Sequence, residues 1–431
     1  MSNPEQAGNG VMDKIGGFFM VLTSNVGTVV LLLLIGQFVL AGVWELKQQS
    51  IGIRRYDPRL EFSMYDGFED KLTFAKEFAE ARKMTLHPHY MWKTKPYTGK
   101  YVNIDEDGHR KTIKNPDPEA KKVFMLGGST LWGEGSPDDG TIPSYLQAKL
   151  GNGYNVTNMG QTGFTSVQEL SYLLDRLTKG DVPDIVIFYD GVNDGFTTVY
   201  SPAERRSLHN VEQMLGFKPE PTTLGTALRD VYQGSGYAIL PKFLKFLPAS
   251  TDAQHQGWDE KIAPKVAENV QHTLNDYEEL MKQVNALAET YGFEVYHFWQ
   301  PNLFSDKRPV QGDEEHPLAE ASTTWVNSQK DLYKAARKRF SGREANGIFY
   351  IGDVLDDMGP TYIDWCHITP EGNARVADAI YVRLKDRLAS VAANPALTDV
   401  KASIPAADTS NKVAIHSNVD SKNVLSSENP R

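Results

Sequence analysis

The longest apolar stretch lies near the N-terminus: from Ile15 to Trp44 there is no Asp, Glu, Lys or Arg, and the stretch holds the run Val29-Val30-Leu31-Leu32-Leu33-Leu34-Ile35. About 20 apolar residues suffice to cross a bilayer as a helix. The pattern therefore predicts one transmembrane helix over 15–46, with Trp44 at the interface. A cleaved signal peptide would have a shorter apolar core and a small-residue cleavage site. Further on the rhythm changes to short apolar runs separated by loops and helix-period segments. The predicted strands are Val123–Leu126, Tyr154–Asn158, Ile185–Tyr189, Phe293–Trp299 and Ile348–Ile351. Between them, Val167, Leu170, Leu174 and Leu177 share one helical face, as do Val270, Leu274, Tyr277, Met281, Val284 and Leu287. A last helix starts at Pro370, runs to about Val391 and buries Ala377, Ile380, Leu384 and Leu388. Strand and helix in alternation predict an α/β three-layer sandwich with a mainly parallel central sheet.

The remaining segments break this rhythm. Residues 1–14 form a short tail, and 47–120 read as a juxtamembrane linker with a small hairpin in Tyr101–Thr112, turning at Asp107-Gly108. The α/β domain covers 121–391, with an insertion around 200–265 that carries Pro, Gly and aromatic residues such as Phe243, Phe246 and Trp258. From Ala392 onward large apolar groups are few, so no packed face offsets the entropy of ordering, and the tail is expected to be disordered.

Composition removes several function classes. A net charge of -10, a pI near 5.6 and no Lys/Arg run exclude nucleic acid as a partner. One cysteine, Cys366, excludes an internal disulfide and a multi-thiolate metal centre. His87 and His89 alternate without a clustered third ligand, which argues against zinc. Basic residues bear on topology: Lys14 precedes the apolar stretch, whereas Lys47, Arg54, Arg55 and Arg59 follow it. Taken literally, the positive-inside rule puts the bulk of the chain in the cytoplasm, although large domains are translocated against a modest bias.

Four polar loops carry candidate chemistry, each beyond the carboxyl end of a predicted strand, where open α/β sheets place reactive groups. Gly127-Gly128-Ser129-Thr130 allows a tight turn that exposes a serine hydroxyl; an ordinary glycine turn has the same letters. In Asn158-Met159-Gly160-Gln161-Thr162-Gly163-Phe164-Thr165-Ser166, glycine lets a backbone N–H approach a developing oxyanion, and Thr165 or Ser166 suits a helix N-cap. Gly191-Val192-Asn193-Asp194 offers an amide donor or a turn asparagine. In Asp364-Trp365-Cys366-His367 the spacing lets a carboxylate hold an imidazole in the tautomer that accepts a serine proton. Trp132, Tyr189, Trp299 and Trp365 lie near these loops and fit either a sugar-binding wall or core packing.

Together and in this order, over about residues 121–390, the four loops resemble the blocks of the SGNH (GDSL-like) hydrolase superfamily. The resemblance implies Ser129 as nucleophile, His367 as general base and Asp364 as its orienting partner. It implies an oxyanion hole of the Ser129 N–H, Gly163, which matches better than Gly160, and Asn193, with Trp132, Tyr189 and Trp365 as substrate-binding candidates. No cofactor and no metal is implied. Gly128 departs from the Asp of the founding GDS motif, which loosens any subfamily assignment. His87-Pro88-His89-Tyr90 and the hairpin after it also look like anchored SGNH proteins associated with bacterial surface polysaccharides. The expected function is a serine esterase acting on an O-acetyl or other short acyl ester of a carbohydrate. Alternatives are an O-acyltransferase using the same triad and a non-catalytic membrane-anchored subunit of a polysaccharide export or assembly complex. A polysaccharide substrate implies a single-pass membrane protein whose domain, from about Glu45, faces the periplasm or exterior.

Overall fold

The computed structural model describes residues 52–112, 117, 119–200, 263–305, 310–315 and 323–393, with scattered positions between 25 and 39. The expected apolar span over 15–46 otherwise lies outside the described residues, as do most of the 200–265 insertion and the tail beyond Ala393. Among the described residues no helix is long and apolar enough to cross a membrane. Leu32, Ile35 and Val39 are helical and exposed.

All five predicted strands form: β1 (Lys121–Gly127), β2 (Tyr154–Asn158), β3 (Ile185–Asp190), β4 (Glu294–Trp299) and β5 (Ile348–Tyr350). They pair in parallel in the order β2-β1-β3-β4-β5. Successive side chains of a strand face opposite ways, and the core divides accordingly. Val123, Met125, Ile185, Ile187 and Phe298 pack on one face under α2 (Ile142–Leu150) and the last helix, α7 (Pro370–Ala393). Phe124, Leu126, Val186 and Phe188 pack on the other against α3 (Ser166–Thr178) and α5 (Val266–Tyr291). A further cluster joins α5 to α6 (Thr323–Phe340) around Trp299. The chain reverses its direction of winding between β1 and β3, so the loops after these two strands open a crevice at the carboxyl edge.

The predicted face of α5 is buried from Val270 to Val284, and α7 buries Ala377, Ile380, Leu384 and Leu388. The face read for α3 holds in part: Leu177 is buried, and Val167 and Leu170 pack against the core. Leu174 is 40% exposed, while Gln168, Glu169, Tyr172, Leu173 and Asp175 are buried. The polar members have specific partners: Gln168 closes a capping box with Thr165, and Asp175 meets Lys179 and His89.

Nor do residues 52–112 behave as a linker. Leu60, Tyr65, Phe74, Phe78, Val102 and Ile104 form a core with Trp132 and Ile363 of the α/β unit. The helix Lys71–Ala81 supplies Phe74 and Phe78, its first turn capped by the Asp70 carboxylate, which accepts from the Thr73 N–H. The hairpin in Tyr101–Thr112 is present as the bridge Ile104↔Arg110, and Arg110 bridges in turn to Asn158 at the edge of β2. A second hairpin, Met84–His87 with Met91–Thr94, leads toward the crevice. His87 stacks on Tyr90 with centroids 3.7 Å apart, and His89 Nδ1 lies 2.8 Å from Asp175, so the two imidazoles point to different partners.

Candidate active site

The first loop turns directly from β1 into the single helical turn α1 (Ser129–Trp132). Ser129 stands at its first position, where the N–H has no intrahelical acceptor. His367 Nε2 lies 2.7 Å from Ser129 Oγ, and His367 Nδ1 lies 2.7 Å from Asp364 Oδ2. The second carboxylate oxygen, Oδ1, accepts from the backbone N–H groups of Cys366 (3.0 Å) and His367 (2.8 Å). The three-residue spacing thus folds into a closed loop that fixes carboxylate and imidazole together. Burial alone would raise the Asp364 pKa, but His367 and Arg59 hold it well below the carboxylate range. Burial pulls the His367 imidazole down; Asp364 and Glu134 outweigh it and leave its pKa above the ordinary value.

Asn193 lies in α4 (Val192–Tyr200), after β3, and its Nδ2 donates to the Phe164 carbonyl at 2.7 Å. An amide nitrogen carries two hydrogens, and Asn193 lines the same cavity as Ser129 and Gly163. Gly163 has φ +77°, a left-handed conformation that glycine adopts without strain. The carbonyl of the preceding peptide, Thr162, accepts from the Trp92 indole at 3.0 Å. In a trans peptide the N–H points opposite to the C=O, so Trp92 fixes the direction of the Gly163 N–H. Gly160 contributes to packing instead, since a Cβ there would sit 2.4 Å from the Trp132 backbone nitrogen; its absence lets this loop press against α1. Gly163 lines the cavity, whereas Gly160 is not among its lining residues.

The cavity measures about 290 Å³ and is lined by Met84, Trp92, Glu134, Thr162, Phe196, Trp365 and Cys366 besides Ser129, Gly163, Asn193 and His367. Of the aromatic candidates only Trp365 reaches it, stacked near Phe196 at 6.1 Å. Trp132 and Tyr189 are corrected to core residues. Trp132 is fully buried under the Arg110 guanidinium, and Tyr189 packs within the sheet's apolar face. Trp299 likewise packs against Tyr277 and Phe340. Among the described residues, one group has metal-ligand chemistry, Asp364, Cys366 and His367, with donor atoms within 4.8 Å. A cation fits poorly there, because Asp364 already holds a guanidinium and burial pushes the Cys366 thiol pKa up.

The sequence model of the GDSL-like lipase/acylhydrolase family matches residues 123–380, more than half of the chain. The chain belongs to this family. It is an SGNH-type ester hydrolase. No curated protein matches it. Solved structures similar to this acylhydrolase include a carbohydrate acetylesterase family member from Sinorhizobium meliloti, at 18% identity over 62% of this chain and 99% of that one, with TM-score 0.29. An aryl esterase of M. smegmatis is 14% identical over 62% and 99%, with TM-score 0.30. An acetyl xylan esterase is 14% identical over 61% and 98%, with TM-score 0.29.

The acylhydrolase departs from the founding motif at Gly128, and its structure gives a reason. A Cβ at this position would lie 2.2 Å from Asn193 Nδ2, so Asn193 occupies the space that a side chain would need. Sequence reasoning missed Arg59, Arg82, Met84, Trp92, Glu134 and Phe196. Glu134 alone carried a local signal, since it stands between two glycines five residues after Ser129.

Proposed function

We propose that the acylhydrolase is a serine esterase with Ser129 as nucleophile, His367 as general base and Asp364 as orienting partner, acting on short acyl esters of carbohydrates. His367 Nε2 takes the Ser129 proton while Oγ bonds to the ester carbonyl carbon. The Ser129 N–H, the Gly163 N–H and the Asn193 amide hold the resulting oxyanion. The oxyanion collapses, the alcohol leaves with the proton from His367, and water, deprotonated by the same imidazole, releases the acid.

One observation carries the reading: an unbroken hydrogen-bonded series, Asp364 to His367 to Ser129, opens into the cavity that Gly163 and Asn193 line. At about 290 Å³ this cavity is at the small end of ligand sites, which suits a short acyl group better than a long lipid chain. Trp92, Phe196 and Trp365 line it, giving an aromatic wall that suits the apolar side of a sugar ring.

The test is a panel of short-chain nitrophenyl esters and O-acetylated glycans. Ser129→Ala and His367→Ala should each lower turnover by about 10⁴ or more, because the members act as a unit, with the melting temperature little changed. Wild-type turnover in both variants would sink the proposal.

A further inference from the structure

The Arg59 guanidinium joins the reactive loop to a part of the chain outside the family match. Arg59, in the short helix Pro58–Glu61, directs Nη1 at Asp364 Oδ2 and Nη2 at Glu134 Oε1 (2.6 Å). The same Nη2 meets Asp57 Oδ2 at 2.8 Å, and Nε meets Asp57 Oδ1 at 3.0 Å. Glu134 accepts a second cation, Arg82, at 3.2 Å. Its other oxygen, Oε2, faces His367 Nε2 at 3.7 Å, on the side of the imidazole that meets Ser129.

Glu134 is held there by its neighbours. Gly133 and Gly135 both have positive φ, +96° and +80°. A Cβ on either would come within 2.4 Å of Thr141 Cγ2 or 2.3 Å of Ile363 Cδ1, so only glycine lets the loop approach this closely. The Gly133 carbonyl accepts from buried Arg110 at 2.9 Å, and the Gly135 carbonyl from the Tyr65 hydroxyl at 2.7 Å. A loop pinned on both sides of one buried carboxylate presents that carboxylate in one place.

We infer that Arg59 and Glu134 form a charge bridge beside His367 that sets how readily the imidazole takes the Ser129 proton. Residues upstream of the acylhydrolase sheet are therefore positioning residues of the site. The inference rests on the reading of Ser129 and His367 as nucleophile and base. The groups around His367 are Asp364 and Cys366 from its own loop, Ser129 and Glu134 from the β1 loop, and Arg59 with Asp57, Tyr65 and Arg82 from the upstream segment. Two carboxylates, Asp364 and Glu134, favour the imidazolium, and Arg59 opposes it. Glu134 is itself ionised: burial would raise its pKa, but His367, Arg59 and Arg82 bring it below the ordinary value. A lysine could not replace the planar fork that reaches three carboxylates at once.

The test titrates the His367 imidazole by NMR in the full-length chain with 13C-labelled histidine, the resonance assigned by His367→Gln. Arg59→Met should move the midpoint up by about half a unit or more and Glu134→Gln down by a similar amount, as charges a few ångströms away do. Arg59→Met/Glu134→Gln should return it toward wild type. Midpoints that stay put in folded single variants would overturn the inference, and the same holds if both move in one direction. Should Arg59→Met not fold, Glu134→Gln decides alone: a lowered midpoint supports the bridge and an unmoved one refutes it. Labelling of Ser129 by a fluorophosphonate reads the underlying assignment separately. In that reaction Oγ bonds to phosphorus, fluoride leaves, and His367 takes the proton. Loss of labelling in Ser129→Ala with unmoved midpoints sinks the bridge alone; labelling that persists in Ser129→Ala sinks the nucleophile assignment whatever the midpoints do.

Discussion

Replacing Gly128 by alanine adds one carbon whose neighbours are known: it would sit 2.2 Å from Asn193 Nδ2 and 3.5 Å from both Asn193 Cγ and the Phe164 carbonyl. The backbone does not object, because φ -80° and ψ -156° are extended values open to any residue. The strain falls on the Asn193 amide, which must leave its 2.7 Å bond to Phe164. Losing that bond costs about 1 kcal/mol. Stiffening the unfolded chain by a glycine-to-alanine change returns about 0.4–1 kcal/mol, so the melting temperature should hardly move. Activity should respond differently. With Asn193 as the proposed oxyanion donor, swinging it out of place should lower kcat by about 10²–10³, or roughly 2.7–4 kcal/mol. The assay is kcat on p-nitrophenyl acetate, with melting curves, for Gly128→Ala, Asn193→Ala and the double variant. Both lesions would remove the same proposed donor, so the double variant should be no slower than Asn193→Ala. Wild-type kcat in Gly128→Ala, or losses that multiply in the double variant, would refute the reasoning.

Two further expectations concern Trp92 and Asp190. Trp92→Phe keeps the ring beside Phe164 but removes the donor to Thr162; with that peptide freed, kcat should fall by about tenfold, the worth of one hydrogen bond, whereas an unchanged kcat would show that the Gly163 N–H needs no such hold. Burial lifts the Asp190 pKa from 3.8 to about 7, with its neighbour Glu169 also raised by burial and by Asp190. Between those two values the folded chain keeps a proton that the unfolded chain releases, so this contribution is full below about 4 and is lost as pH rises through 7. In Asp190→Asn the urea midpoint should therefore fall less steeply across that range, and an unaltered slope would count against a buried neutral acid.

What the sequence disclosed depended on whether burial followed apolar letters. The five strands were legible as short apolar runs, and their loops exposed Ser129, Gly163, Asn193, Asp364 and His367, which the fold brings together. In the helix Ser166–Thr178 the apolar letters locate only part of the buried side, which also includes Gln168, Glu169 and Asp175, whose burial depends on partners that periodicity cannot see. Arg59 reads in the sequence as a flanking charge of the apolar stretch, yet it contacts Asp364, a residue 305 positions away. Long-range ion pairs leave no periodic trace. Trp132 and Tyr189 stood close to the motifs in sequence, but adjacency along the chain says nothing about which side of a sheet or turn a ring occupies.

That separation of 305 residues also bears on how the enzyme comes into being. Each doubling of loop length adds only about 0.6 kcal/mol to the cost of closure, so the contact is thermodynamically cheap. Kinetically it is remote, because contacts between distant parts of a chain are late to form. During synthesis Arg59, Trp92 and Ser129 all emerge well before Asp364 and His367. A growing chain thus holds an incomplete set of reactive groups until nearly all of the α/β unit has been made. Fragments ended short of Asp364 lack both Asp364 and His367, two members of the proposed triad, and an enzyme assembled in this order completes that set at the end of folding.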